Sequence, residues 1–272
     1  MKKFLTALCV LSVAAFAVAE SQAQTQQFRI EVTSNAPAGG NAITPVWFGF
    51  HDGSFDVFDS GSAVSAGLEE LAETGMPPML SSEFGAATTN GVDVVVGSPT
   101  GPPPIQPGES ATSAIFSLDA SDNQFLSYAS MLLPSNDYFL ANDNPTQVDL
   151  SSIFGGGSIS FNVGESIYDA GTEIDDFATA PGNPLFGIPA GDGGSGVGAD
   201  QNGVATLITS TTPYANFLNS PPGFDFSQLN FNDTSLYPNG LATVTITAVP
   251  EPSSLGFMML GLGGLFLRRR RS

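Results

Sequence analysis

The sequence predicts an all-β protein: an antiparallel β-sandwich with one short helix, carried between two end segments of a different character. Three observations predict it. Apolar residues alternate with polar ones in short runs, as in Phe28, Ile30, Val32 and again in Ala242, Val244, Ile246, Ala248. Turn residues, drawn from 31 Gly and 20 Pro, split those runs. Only one stretch of the body, Ser62 to Gly75, has apolar residues at helical spacing.

The elements follow in chain order. Phe28, Ile30 and Val32 between Arg29 and Glu31 make an opening strand, and Asn35 to Asn41 a turn. Ile43 to Phe50 is apolar, and Pro45 puts its start at a sheet edge, because proline cannot donate to a ladder. From Ser62 to Gly75, Val64, Leu68, Leu71 and Ala72 share a helix face, Ser62 is placed to cap it, and Gly75 to stop it. Pro77-Pro78 opens a loop-rich stretch, Val92 to Val96 is a strand, and five prolines stiffen Gly97 to Gly108. Ala114 to Leu118 is a short strand, and Phe125 to Leu133 is apolar enough to be buried on both faces. Ser158 to Tyr168 reads as one strand, Pro181 to Gly203 as a mobile loop, Gly203 to Thr209 and Leu241 to Val249 as strands.

Charge narrows the function classes. Of 26 acidic residues only Glu20 and Glu251 lie outside the body, residues 24–249; of seven basic residues only Arg29 lies within it. A body with 24 carboxylates and one guanidinium has no basic patch for nucleic acid or anionic lipid. The single cysteine, Cys9, falls in the N-terminal segment, so the body has no disulfide and no thiolate chemistry. Its stability must come from a hydrophobic core.

Both ends read as addresses. Met1-Lys2-Lys3, the apolar run Phe4 to Ala19 and small-residue cleavage sites up to Ala23 make residues 1–23 a secretory signal peptide. At the other end, Pro250-Glu251-Pro252 precedes the apolar run Leu255 to Leu267 and then Arg268-Arg269-Arg270-Arg271. As a helix that run would cover only about 20 Å, short against a hydrocarbon core of about 30 Å. The triplet, short apolar helix and terminal arginines (residues 250–272) closely resemble the PEP-CTERM sorting signal of Gram-negative bacteria. The resemblance implies an exosortase-type processing enzyme, transient anchoring in the inner membrane, and delivery to the cell surface or extracellular matrix in bacteria that commonly make exopolysaccharide.

The densest acidic stretch of the body is Tyr168 to Asp176, with Asp169, Glu173, Asp175 and Asp176 and no base nearby. Like charges so close repel unless water, hydrogen bonds or a cation relieve them. If the strands before this stretch and after the Pro134 to Phe139 turn are neighbours, Asp137 and Asp169 meet at one end. A solvated loop with Asp169 capping a turn is the other reading of the same residues.

Three segments then resemble the spondin (F-spondin) domain: Thr44-Pro45-Val46-Trp47 through Leu71-Ala72-Glu73-Thr74-Gly75, Pro134-Ser135-Asn136-Asp137-Tyr138-Phe139, and Asp169-Ala170-Gly171-Thr172-Glu173. The resemblance implies a C2-like antiparallel sandwich, a calcium ion held by loops at one end, and a role in matrix or adhesion. It places the ligands at Asp137, Asp169 and Glu173, with Asp175 and Asp176 as further candidates. Glu173 stands where the family motif carries Asp, and the cysteines of animal relatives are absent. Calcium takes about six to eight oxygen ligands, which suits such a set. With His51 the only histidine, zinc is disfavoured.

Other chemistry has little support. His51-Asp52 lacks a placed nucleophile. Paired carboxylates able to cleave glycosides arise by chance among so many acids. Trp47 could stack on sugar, though a tryptophan in such a run usually belongs to the core. The expectation is therefore a non-enzymatic, calcium-stabilised adhesion or binding module associated with exopolysaccharide. A purely structural matrix protein without a functional metal and a polysaccharide-acting hydrolase are the alternatives.

Overall fold

The computed structural model describes residues 25–37, 40–98, 104–133, 135–174, 199–209 and 239–250. Two antiparallel sheets are present. In the first, β1 (Thr25–Ser34) pairs along eight residues with β13 (Ala242–Val249), from Gln27 opposite Val249 to Ser34 opposite Ala242. β10 (Ser158–Val163) pairs with the other edge of β13, while β5 (Ser110–Thr112) and β6 (Phe116–Asp119) pair with β1. The alternation read from the sequence holds: Phe28, Ile30, Val32, Val244 and Ile246 are fully buried, whereas Arg29, Glu31 and Thr247 are exposed.

The second sheet has the main order β12-β11-β8-β7-β3-β4. Its strands are β3 (Val46–His51), β4 (Val92–Val96), β7 (Phe125–Leu133), β8 (Tyr138–Ala141), β11 (Tyr168–Asp169) and β12 (Thr206–Leu207). Two further short strands, β2 (Ala42–Ile43) and β9 (Val148–Asp149), pair with β7. Phe48, Phe50, Leu126, Leu132 and Leu140 join the inner residues of the first sheet in one core. Trp47, Phe139 and Tyr168 point the other way and meet Leu68, Leu71, Leu80 and Phe84 of a helical layer. β7 is therefore covered on both faces, as its unbroken apolar run predicts.

Besides β5 and β9, which fall where no strand was expected, three elements differ from the expectation. The helix α1 runs Ala66–Thr74 and is capped by Ser65, whose Oγ accepts from Leu68 N at 3.2 Å, not by Ser62; Gly75 stops it as predicted, at φ 71°. A second helix, α2 (Pro78–Ala87), forms where a loop was expected. Proline is tolerated in a first helical turn, and Leu80 and Phe84, four residues apart, bury completely against the sheet and α1. The predicted strand Ser158 to Tyr168 is two strands in different sheets. The chain ends β10 at Val163, turns at Gly164 (φ +74°) and enters the second sheet as β11. The signal peptide, the C-terminal apolar helix, residues 181–198 of the expected mobile loop and part of the Gly97 to Gly108 loop lie outside the described residues.

The two sheets align so that each end of the sandwich is defined. Phe28 packs on Phe154 at 5.4 Å and on Phe116 at 6.4 Å, and Phe116 packs on Phe50 at 5.1 Å. Phe50 is opposite Leu126, so the start of β1 and the end of β13 stand over the Leu126 end of β7. Leu133, at the far end of β7, is seven residues away, about 24 Å along a strand.

Candidate metal site

At that far end the two acidic segments meet. β11 is β8's neighbour, with Asp169 opposite Tyr138 and Tyr168 opposite Phe139. The rings of Phe58, Phe139 and Tyr168 pack on one another at 4.7–5.7 Å beneath the loop and seat its first residue. Ala170 N then donates to the Asp137 carbonyl at 3.2 Å.

Asp137 is fully buried. Its Oδ2 accepts from Thr172 N at 2.9 Å, from Glu173 N at 3.0 Å and from Thr172 Oγ1 at 3.3 Å. One carboxylate thus holds the loop that follows Asp169, a charge-assisted arrangement. Asp169 is half-buried, and its Oδ1 accepts from Gly171 N at 2.7 Å, closing an Asx turn. Glu173 is 3 % exposed. Asn136, whose Nδ2 donates to the Ile174 carbonyl at 3.2 Å, is buried beside Asp137; as the residue just before Asp137 in the turn motif, it was open to being found from sequence.

Residues 199–203, read from the sequence as the end of a mobile loop, instead strap this loop from outside through backbone hydrogen bonds. Ile174 N donates to Ala199 O, Gln201 N to Thr172 O and Gly203 N to Gly171 O, at 2.6–2.8 Å, and Glu173 bridges to Asp200. Gly171 has φ +69°, and a Cβ there would lie 2.7 Å from Val204 N, so the strap's approach requires glycine.

Three side-chain oxygens here are buried with no hydrogen bond made to that atom: Asn136 Oδ1, Asp137 Oδ1 and Glu173 Oε2. Buried polar atoms normally have a partner, and an ion is one way such a set is satisfied. All three donors are oxygen, the chemistry calcium takes. Among the described residues, however, no three His, Cys, Asp or Glu side chains gather in a group able to hold a metal by themselves. Asp169 has turned one oxygen to the loop backbone, and Asp175 and Asp176 lie outside the described residues.

His51 and Trp47 belong to the interior. His51 is fully buried; Gly53 N donates to its Nδ1 at 2.9 Å, so its Nε2 donates to Ser127 Oγ at 3.0 Å, and Ser127 donates to the Phe55 carbonyl at 3.2 Å. Burial lowers its pKa to about 4, against a smaller opposing pull from Asp52, so the ring is neutral at pH 7. Trp47 is fully buried and donates to Ser81 Oγ and Asp93 Oδ2, both at 3.1 Å.

The family model for Spondin_N matches residues 33–180, more than half of the chain. The chain belongs to the Spondin_N family. A second model, the PEP-CTERM protein-sorting motif, matches residues 248–271. No curated protein matches the chain. The sorting motif marks an exported protein handled by exosortase-type machinery and sent to the cell surface of a Gram-negative bacterium, and the Spondin_N domain is its surface module. Of the sorting residues, Pro250 lies at the exposed end of β13; Glu251, Pro252 and Arg268 to Arg271 are outside the described residues. No helix among the described residues is long and apolar enough to cross a membrane.

Proposed function

We propose that this Spondin_N protein is a non-enzymatic adhesion or matrix-binding module whose acidic end holds a calcium ion. The observation that carries the reading is Asn136 Oδ1, buried without a hydrogen bond beside the buried carboxylates of Asp137 and Glu173. Asp137 would serve both the loop backbone and the ion, one oxygen to each. When bound, calcium supplies the positive charge that the body lacks, with Arg29 its only cation. The Asp137 hydrogen bonds and the 199–203 strap hold the loop in one shape, which lowers the ordering cost of binding a partner there. That partner is an acidic or hydroxyl-rich polymer such as exopolysaccharide, and removal of the tail by the exosortase-type enzyme frees the module from transient anchoring in the inner membrane.

The test is thermal melting in calcium and in chelator. At about 100 times the Kd, calcium adds about 2.7 kcal/mol. Asp137→Asn and Glu173→Gln should abolish the calcium-dependent rise in Tm, and Asn136→Ala should weaken it. If all three variants keep the full response, the site is wrong. If the native protein shows none, the alternative stands: a structural domain without a functional metal, its loop held by Asp137 and the 199–203 strap. Calcium-dependent binding on a glycan array then tests adhesion, and release of reducing sugar would overturn the non-enzymatic reading.

A further inference from the structure

We propose that this protein, while its sorting tail is in place, stands on the membrane in one orientation, with the Asp137–Glu173 end directed away from the lipid. The inference rests on the tail-anchoring reading above, not on whether calcium binds.

Two observations carry it. First, only five residues, Pro250 to Ser254, separate the end of β13 from the apolar run of the sorting signal. The motif begins at residue 248, inside β13, where Ala248 and Val249 are registered opposite Phe28 and Gln27 and Ala248 N donates to Gly157 O at 2.9 Å. β13 is an inner strand, paired on one side with β1 and on the other with β10, so its end cannot swing without breaking the sheet. Second, that end is the one opposite the acidic loops. Through Phe28, Phe116 and Phe50, the end of β13 stands over the Leu126 end of β7, and Asp137 lies at the Leu133 end, about 24 Å away along the strand. Thr25, the first described residue, is opposite Asp119 on the tail side as well.

The lipid-facing surface is then the loop around Ser152 to Gly157, tied to the strand ends by Gly155 N donating to Gln26 Oε1 at 2.6 Å, with Asp119 and Asp149 beside it. These carboxylates do not attract anionic headgroups, so the short tether and not adhesion to lipid sets the orientation. The body's lack of cysteine makes the idea easy to probe.

The full chain carrying Cys9→Ser receives one labelling cysteine, Ser152→Cys near the tail or Ile174→Cys at the acidic loop; both positions are exposed. Each labelled protein is incorporated into vesicles containing quencher-bearing lipid. The label at residue 152 should lose most of its emission and the label at residue 174 little. A Gly/Ser insert of about 20 residues between Val249 and Pro250, with a mean reach of about 25 Å, should erase the difference. Flotation separates the two readings. Protein that fails to float with the vesicles defeats the anchoring reading and the orientation with it; protein that floats but shows equal quenching at both labels overturns the orientation alone.

Discussion

At the residue scale, Asp137 carries the most consequence. Its Oδ2 satisfies two backbone N–H groups and one hydroxyl of a neighbouring strand's loop. Asp137→Ala leaves those donors buried, and urea unfolding in chelator should show a loss of about 2–4 kcal/mol even with no metal present. His51 makes a second prediction. Its folded pKa of about 4 lies below the ordinary 6.5, so the folded state disfavours its protonation. Its contribution is fully present above pH 6.5 and is lost as the pH falls from 6.5 towards 4, up to about 3 kcal/mol for a shift of this size. The stability difference between the native protein and His51→Gln should therefore shrink or reverse across that window; a difference flat from pH 7 to 4 refutes it. Both residues were visible in the sequence, but the hydrogen bonds by which Asp137 holds the neighbouring loop were not. His51 beside Asp52 resembles a catalytic pair until the fold encloses it.

At the element scale, Gly164 and α2 show where pattern reading stops. Alternation continues through Ile159, Phe161 and Val163 and on to Tyr168, so a single strand was the natural reading. Nothing local says that the chain changes sheets. Gly164 permits it: at φ +74° with a Cβ only 2.8 Å from Leu241 Cβ, no other residue fits without strain. Gly164→Ala should cost about 1–3 kcal/mol in urea unfolding. The helix α2 has a different lesson. Its apolar spacing is short and it starts on Pro77-Pro78, and it exists because Leu80 and Phe84 have Trp47 and Phe55 to pack against; Phe84 meets them at 5.3 and 5.0 Å. Phe84→Ala should cost about 3–5 kcal/mol. Glu83, in the middle of the same helix, accepts from Ser65 Oγ at 2.6 Å and Gly67 N at 2.8 Å, tying α2 to the start of α1.

At the scale of the whole molecule, the domain is longer than the family match. Most of β1 and all of β13, the central pair of the first sheet, lie outside residues 33–180, as does the strap over the acidic loop. A fragment restricted to the match would lose the partner strands of β10, β5 and β6, and should fail to unfold cooperatively in a calorimeter, whereas residues 24–250 should show one transition. The same pairing brings the two chain ends of the body to one end of the sandwich and leaves the acidic loops at the other, which is why one strand terminus bears on both the processing and the presentation of the domain.

The sequence by itself determined the class of the fold, the sorting address at the C-terminal end, the extreme acidity and the two acidic segments. These follow from local periodicity, composition and short motifs, which act within a few residues of the chain. Only the tertiary structure decided which oxygens are buried together, that Asn136 joins Asp137 and Glu173, that residues 199–203 close over Gly171, and that the acidic end is opposite the sorting tail. Those facts depend on contacts between residues 30 to 220 positions apart, and packing and strand register set them, not local preference.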